Sequence, residues 1–293
     1  MPGLLGTRDS FAKRFESPVE HAEGDSAARL QALVSPFVLR RVKEDVVTDL
    51  PEKIEDTVMA QLTGEQRKLY LANQDRIAQQ VQHREASEFK KDKLKVLAEL
   101  TKLRQICCDP HLHYADYKAG SAKLDTCMEL VHGALDGGHR ILLFSQFTGM
   151  LDIIGKRLAK EDIAFLKLTG ASSKESRAKM VAQFQAGEVP VFLISLKAGG
   201  VGLNLTAADV VIHYDPWWNV AAQDQATDRA HRIGQQHTVT VYKLIAKDTI
   251  EERIMQMQES KRDLVNSVLG GDGISSALFT REDVLALLGG DGR

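Results

Sequence analysis

The chain has 293 residues, of which 43% are hydrophobic and 27% are charged, and its formal net charge is −2. This composition is typical of a soluble, globular protein with one large domain or two smaller ones. It excludes a polycation that coats nucleic acid, so any such contact must come from a local patch. Because there is no signal peptide and no apolar run of about 18 residues, we predict a cytoplasmic protein.

The first 120 residues are predicted to form helices and linkers. Pro36 and Pro51 indicate a connector around short elements, since proline ends or redirects helices. Two longer stretches then carry apolar residues at helical spacing, which predicts two helices. The first stretch has Leu69, Ala72, Ile77 and Val81, and the second has Leu94, Leu97, Leu100 and Leu103. We expect the lysines of the second helix to form a solvated face.

The three cysteines, Cys107, Cys108 and Cys127, do not form a disulfide framework, because their number is odd and two are adjacent. His111 and His113 follow the adjacent pair, so a metal site is one interpretation. The spacing matches no known zinc pattern, and we instead predict packed thiols at a helix end, with no bound metal.

From Ser121 onward, short apolar runs alternate with amphipathic helices. The runs are RILLF, IAFLKL, VPVFLIS, DVVIHY and VTVYKLIA. The alternation predicts a parallel sheet with helices on both faces. Ser172 and Glu175 have capping-box spacing and predict the start of one of these helices.

Polar residues and glycines follow three of the predicted strands, where a doubly wound sheet binds its ligands. They are Ser145 and Gln146, then Ser195, Lys197, Gly199, Gly200, Gly202 and Asn204, and finally Asp215, Trp217, Trp218 and Asn219. The glycines could bring backbone N–H groups to a phosphate, or could form only a tight turn. They do not form the dinucleotide pattern GxGxxG, because Leu205 occupies the third glycine position.

Arg229 and Arg232 stand three residues apart near a predicted helix end, and Gln225 precedes them. Two guanidinium groups at this spacing suit an anion with delocalised charge, such as a phosphoryl group in transfer. They could equally be a surface pair neutralised by Asp224 and Asp228. The chain has no GxxxxGK[ST] loop, and no aspartate is followed directly by a glutamate.

Four segments resemble the second RecA-like motor lobe of superfamily-two helicases, in the same order and spacing. They are FSQFTGMLDII, LTGASSKESR, ISLKAGGVGLNLTAADVVIHYDPWWN and QATDRAHRIGQ. Upstream, FVLRRVKEDVVTDLPEK and LTKLRQICCDPHL resemble the connection and helical protrusion of the Swi/Snf family of ATP-dependent DNA translocases, and GLLGTRDSFAKRFESPVE resembles the end of its first lobe. The DPWWN form is similar to bacterial and archaeal members.

The resemblance implies an α/β fold, a RecA-like doubly wound parallel sheet with helices on both faces, preceded by a mostly helical connector and protrusion. The implied parts are the end of the first lobe and connector (1–50), the helical protrusion (51–120), the C-terminal helicase lobe (121–270) and a tail with a short helix (271–293). A hinge is expected through Arg40, Arg41 and the segment around Pro51.

The same resemblance implies roles for individual residues. Arg229 and Arg232 are expected to act as arginine fingers, and Gln225, Gly200, Gly202 and Asn204 to contact nucleotide. The DNA backbone is expected to contact Ser145, Gln146, Thr169, Gly170, Ser195, Lys197, Trp218 and Asn219. The implied partners are double-stranded DNA, on the nucleoid if the cell is bacterial, and a first RecA-like lobe that holds most of the ATP and Mg²⁺.

Without a phosphate loop, the chain alone is expected to lack ATPase activity. Two alternatives remain open: a motor-like regulatory or interaction module without ATPase function, and an RNA-directed helicase lobe. A third, an α/β enzyme acting on a small molecule, is disfavoured by the absence of a phosphate loop and of paired catalytic carboxylates.

Overall fold

Six parallel strands form one sheet in a computed structural model that describes residues 5–16, 26–37, 50–83, 86–199, 202–218, 220–258 and 281–289. The strands are β1 (Lys53–Gln61), β2 (Ile141–Ser145), β3 (Phe165–Leu168), β4 (Val191–Ser195), β5 (Val210–His213) and β6 (Val239–Lys247). Their order across the sheet is β1-β6-β5-β2-β4-β3, and every neighbouring pair is parallel. The predicted α/β class with a parallel sheet is therefore confirmed.

Helices between β1 and β6 connect these strands and cover the sheet, and further helices lie before β1 and after β6 in the chain. Their bounds are α1 (Arg8–Phe11), α2 (Ser26–Val34), α3 (Gly64–Gln82), α4 (Ala86–Cys108), α5 (Ala122–Asp136), α6 (Thr148–Lys160), α7 (Lys174–Gln185), α8 (Leu196–Gly199), α9 (Val220–Thr227), α10 (250–258) and α11 (Arg281–Leu287). Short 3-10 turns lie at Ser35–Phe37 and Pro110–Leu112, and a π-helical turn lies at Ala12–Glu16. Within the described ranges, no helix combines the length and the apolar character needed to cross a bilayer.

Both faces of the sheet are buried, as alternate residues of β2 demonstrate. Leu142 and Phe144 pack into a cluster with side chains of α7 and α9, whereas Ile141 and Leu143 pack into a cluster with α5 and α6. All five residues of β2 are buried. A strand buried on both faces loses the polar–apolar alternation of a surface strand and becomes a continuous apolar run, which is why β2 and β4 were predictable.

Strand β1 forms an edge of the sheet that the sequence did not predict. It pairs with β6 along nine residues, from Lys53 opposite Val239 to Gln61 opposite Lys247. Most of its side chains are exposed, so its sequence lacks an apolar pattern. The strand lies within residues 51–120, for which we predicted a helical protrusion, and the two long helices α3 and α4 account for most of that range.

The helices α3 and α4 pack on each other, and α3 also contacts the N-terminal end of α5. The amide nitrogen of Gln66 donates to the carbonyl of Ile106 at 3.0 Å, and its oxygen accepts from the backbone nitrogen of Ala122 at 3.1 Å. Only part of the predicted apolar stripe on α4 is buried, because Leu100 and Leu103 are buried whereas Leu94 is 82% exposed.

A buried ion pair lies close to the cysteines. Lys123 on α5 donates to Glu251 on α10, and both side chains are inaccessible to solvent. Cys107, Cys108 and Cys127 are buried free thiols, and burial raises the pKa of Cys127 to about 12. The predicted packing of these thiols in the interior is confirmed. Whether the neighbouring histidines bind a metal is a separate question, and the described residues contain no group of three or more His, Cys, Asp or Glu suited to one.

Residues 5–16 and 26–37 belong to a second, smaller unit. Phe15 and Leu30 are buried in it, and Leu5, Phe11 and Val34 pack against them. Arg40 and Arg41, which we placed at a hinge, lie outside the described residues.

Candidate functional site

The carboxyl ends of β2, β3 and β4 surround a cavity of about 410 Å³. Its lining consists of Gln146, Thr148, Asp152, Lys167, Thr169, Gly170, Ala171 and Ser195. Four of the residues that we predicted to contact the DNA backbone therefore lie together at one cavity: Gln146, Thr169, Gly170 and Ser195. Lys167 brings a positive charge to the cavity, although it is paired with Asp152.

Ser145 lies among the predicted residues in sequence but does not line the cavity. Its side chain is fully buried, and its hydroxyl donates to Oδ1 of Asp215 at 2.5 Å. The other carboxylate oxygen of Asp215 accepts from the backbone nitrogen of Gln146 at 3.3 Å. Ser145 and Asp215 thus join the ends of β2 and β5 and fix the backbone from which Gln146 projects.

The turn after β3 positions Thr169 and Gly170. The backbone nitrogen of Thr169 donates to the hydroxyl of Ser172 at 3.2 Å. The next serine, Ser173, is the N-cap of α7, because its side chain accepts from the backbone nitrogen of Ser176 at 3.2 Å. The predicted cap at Ser172 is therefore wrong by one residue, since Ser172 instead closes the turn that faces the cavity.

The glycine-rich segment and the arginine segment meet beside the sheet. The backbone nitrogen of Leu205 donates to the carbonyl of Arg229 at 2.9 Å. Leu203 and Leu205 are buried, whereas Gly202 and Asn204 are exposed. A Cβ atom on Gly202 would meet no heavy atom within 4 Å, so the fold itself does not require glycine there. Trp217 packs against the cluster that contains the two leucines.

Arg229 and Arg232 are close together, and the two differ in exposure. Arg229 is 7% exposed, and its Nε has no hydrogen-bond partner, whereas Arg232 is exposed. Burial, followed by the charge of Arg232, lowers the pKa of Arg229, and Asp228 opposes that change. Neither guanidinium forms an ion pair with a described residue, so the salt bridges expected of a surface pair with Asp224 or Asp228 are not formed.

The arginine segment also contacts the chain that precedes β1. A ring nitrogen of His231, between the two arginines in sequence, lies 2.8 Å from the carbonyl of Pro51. The backbone nitrogen of Val239 donates to the carbonyl of Glu52 at 3.0 Å. The segment around Pro51 is therefore in direct contact with the arginine segment.

The remaining predicted residues are more dispersed. Gln225 is exposed on α9, and Trp218 is partly buried beyond the end of β5. Lys197 lies in the short helix α8. Gly200 and Asn219 fall outside the described residues.

One buried residue at this edge was missed from the sequence. Arg104 on α4 is 1% exposed and donates to the side-chain oxygen of Gln146 at 3.2 Å. We predicted no role for it, although it follows the buried Leu100 by four residues and therefore shares its helical face. A charged residue within the apolar stripe was the signal that could have identified it.

Sequence comparison matches residues 122–234 to the helicase conserved C-terminal domain and residues 1–112 to the SNF2-related domain. An uncharacterized ATP-dependent helicase of Mycoplasma pneumoniae is 39% identical over 289 residues, which cover 98% of this chain and 27% of that protein. The chain spans about a quarter to a third of the first curated relatives it matches.

Two solved structures from Sulfolobus solfataricus are similar to the chain. The SWI2/SNF2 ATPase core in complex with dsDNA has a TM-score of 0.67 at 35% identity, covering 98% of this chain and 61% of that one. The SWI2/SNF2 ATPase C-terminal domain has a TM-score of 0.65 at 31% identity, covering 80% of this chain and 98% of that one. Together with the matched domains and the parallel sheet, these likenesses show that the chain belongs to the SWI2/SNF2 family of ATP-dependent helicases.

Proposed function

We propose that the chain provides the second motor lobe of an ATP-dependent translocase on double-stranded DNA. The observation that carries the proposal is the pair Arg229 and Arg232, two neighbouring guanidinium groups that no described carboxylate pairs with, beside the exposed Gly202 and Asn204. Two cations left so close together repel each other, and an anionic ligand relieves that repulsion. The same function is supported by a relative that is an ATP-dependent helicase and by a similar ATPase core that was solved with duplex DNA.

The nucleotide would contact the arginine and glycine segments. Arg229 and Arg232 would stabilise charge on the γ-phosphate during its transfer, and Gln225, Gly200, Gly202 and Asn204 would contact the nucleotide nearby. ATP supplies the phosphoryl group when it is bound. A first RecA-like lobe would hold most of the ATP and its Mg²⁺, because this sequence has no phosphate loop.

Duplex DNA would bind through its phosphates at the cavity edge. Gln146, Thr169, Gly170 and Ser195 offer amide, hydroxyl and backbone donors there, and we assign Lys197, Trp218 and Asn219 to the same path along the DNA backbone. Such groups position a duplex without reading its sequence. Ser145, which we also expected to contact the DNA, is fully buried against Asp215 and can act only by fixing the backbone of Gln146. Closure of the two lobes around ATP, with a hinge near Pro51, would then move the contacts along the DNA. A cytoplasmic, nucleoid-associated location in a bacterial cell stays a prediction.

ATPase assays test whether hydrolysis needs both the first lobe, which would hold ATP, and the arginines of this chain. We expect the 293-residue chain to hydrolyse no ATP above background, with or without duplex DNA. In a protein that joins it to a phosphate-loop lobe, Arg232→Ala should lower kcat by roughly 10³-fold or more, the usual loss for an arginine finger. The matched control Arg67→Ala removes an exposed arginine of α3 and should leave kcat unchanged.

Binding measurements separate this function from its alternatives. DNA affinity of the two-lobe protein should change by less than about twofold on Arg232→Ala, since the arginine faces nucleotide in the proposal. An equal loss of hydrolysis and DNA binding would assign Arg232 to DNA or to folding. Stronger ATPase stimulation by duplex RNA than by duplex DNA would favour an RNA helicase, and DNA binding without any hydrolysis would favour a regulatory module.

A further inference from the structure

Arg104 is a buried cation held by neutral groups. Its Nη1 donates to the side-chain oxygen of Gln146 at 3.2 Å, and its Nη2 donates to the carbonyl of Pro216. The guanidinium carbon lies 5.2 Å from the ring centre of Trp218 and 5.7 Å from that of Phe147. No carboxylate in the described residues forms an ion pair with it, and its Nε has no hydrogen-bond partner.

Burying such a residue lowers the stability of the folded protein. A buried charge without a counter-ion loses the stabilisation of its hydration shell, and hydrogen bonds and ring contacts offset that loss only in part. An apolar side chain of similar length would fill the same space without that cost. The contacts therefore require an explanation beyond packing. Of the three side chains that Arg104 contacts, Gln146 and Trp218 are residues that we assign to the DNA backbone, and Phe147 is the third.

Arg104 also determines which end of the Gln146 amide is available. A guanidinium carries only donors, so the group facing it must be the amide oxygen. The amide nitrogen is then left as the free end, and it is buried with no hydrogen-bond partner. Because Gln146 lines the cavity, a phosphate oxygen bound there would supply the acceptor that this buried nitrogen lacks.

We propose that Arg104 is a positioning residue through which helix α4 orients Gln146 and Trp218 for contact with DNA phosphates. The inference rests on the proposed function. Arg104 joins three parts of the chain at one point: α4, the end of β2 and the loop after β5. The helical segment would thus act on the duplex through this one side chain without touching the duplex there.

A double-mutant cycle tests whether Arg104 acts through Gln146. Duplex affinity of the 293-residue chain is measured by fluorescence anisotropy at low salt for the wild type, Arg104→Met, Gln146→Leu and the double variant. Each single change should weaken binding about tenfold, the value of one hydrogen bond to a charged group. The double variant should also lose about tenfold, whereas independent roles would multiply to about a hundredfold.

Matched variants control for charge and folding. Arg76→Met removes an arginine that pairs with Glu99 between α3 and α4, and it should leave duplex affinity within about twofold. Arg104→Lys keeps the charge but cannot serve both acceptors in the same geometry, so it should behave like Arg104→Met. If Arg104→Met does not fold, Arg104→Lys replaces it in the double-mutant cycle with Gln146→Leu.

Tryptophan emission gives a second readout, which a change in the overall stability of the folded protein would not alter. The chain has two tryptophans, so Trp217→Phe leaves Trp218 as the single emitter. In that background, Arg104→Met should increase iodide quenching of Trp218 and abolish the emission change on adding duplex DNA. Gln146→Leu should leave the iodide quenching unchanged.

The outcomes separate the inference from the proposed function. Absence of duplex binding by the wild type would overturn the proposed function. Binding that is weakened by Gln146→Leu but not by Arg104→Met or Arg104→Lys would retain that function and overturn the inference. A multiplicative cycle, or unchanged Trp218 quenching, would also overturn it.

Discussion

Mild acid should destabilise the folded protein through His213, at the end of β5. This side chain is fully buried, stacks on Phe144 with ring centres 5.5 Å apart, and has one ring nitrogen 2.8 Å from the hydroxyl of Thr227. Burial, followed by the charge of Lys243, lowers its pKa to about 3, and Glu55 opposes the change only in part. The folded protein therefore keeps His213 neutral at pH values where the unfolded chain, with a pKa of about 6.5, binds a proton.

The sign and size of the change in the free energy of unfolding follow from the difference in the number of protons bound by the unfolded and folded states. Between the two pKa values the unfolded chain binds more protons, so stability is fully present above about pH 6.5 and decreases as the pH falls towards 3. Between pH 7 and pH 5 this one group should remove about 2 kcal/mol from the free energy of unfolding.

Urea unfolding at pH 7 and pH 5 measures the effect. His213→Gln retains a group that can bond Thr227 but cannot titrate, so its loss between the two pH values should be smaller than that of the wild type by about 2 kcal/mol. His237→Gln, in an exposed turn, controls for the removal of one histidine. Equal losses for the wild type and His213→Gln would refute the reasoning.

Variants at the Lys123–Glu251 ion pair and at two helical glycines test the packing around the sheet. Lys123→Ala should cost about 3–5 kcal/mol in urea unfolding because it leaves Glu251 buried without its partner, and Lys123→Met with Glu251→Gln should recover more than half of that loss. Gly155→Ala in α6 should cost about 1–3 kcal/mol, because the new Cβ would lie 2.9 Å from the ring of Phe165. Gly133→Ala in α5, where an added Cβ meets nothing within 4 Å, should stabilise the helix by up to about 1 kcal/mol; if both alanine variants lose stability, sterics at Phe165 are not the cause.

The interior strands were predictable because burial on both faces makes them continuous apolar runs. Strand β1 was not, since an edge strand can expose residues such as Ile54, which is 45% exposed, and its pairing with β6 is a contact between distant parts of the chain. Ser172 and Ser173 show that sequence spacing alone did not identify the N-cap residue of α7. Spacing to Glu175 selected Ser172, but only the turn at Thr169 determines which hydroxyl is free to cap α7.

The candidate site was predictable in composition but not in arrangement. Residues after successive strands converge at one edge because the strands are parallel, and Gln146, Thr169 and Ser195 duly meet at one cavity. Sequence could not reveal that Ser145 is engaged by Asp215, or that Arg104 contacts Gln146 from 42 residues away. Each depends on a contact between elements that no local pattern specifies.

The pairing of β1 with β6 changes how the long helices should be regarded. The chain leaves the sheet after Gln61 and returns to it at Ile141, so α3 and α4 are an insertion between two strands of one sheet. An insertion fixed at both ends can lengthen, shorten or change its outer surface without a new strand order. Removing everything before Ser121 to isolate the lobe would instead expose the backbone edge of β6, and we expect such a truncation to aggregate.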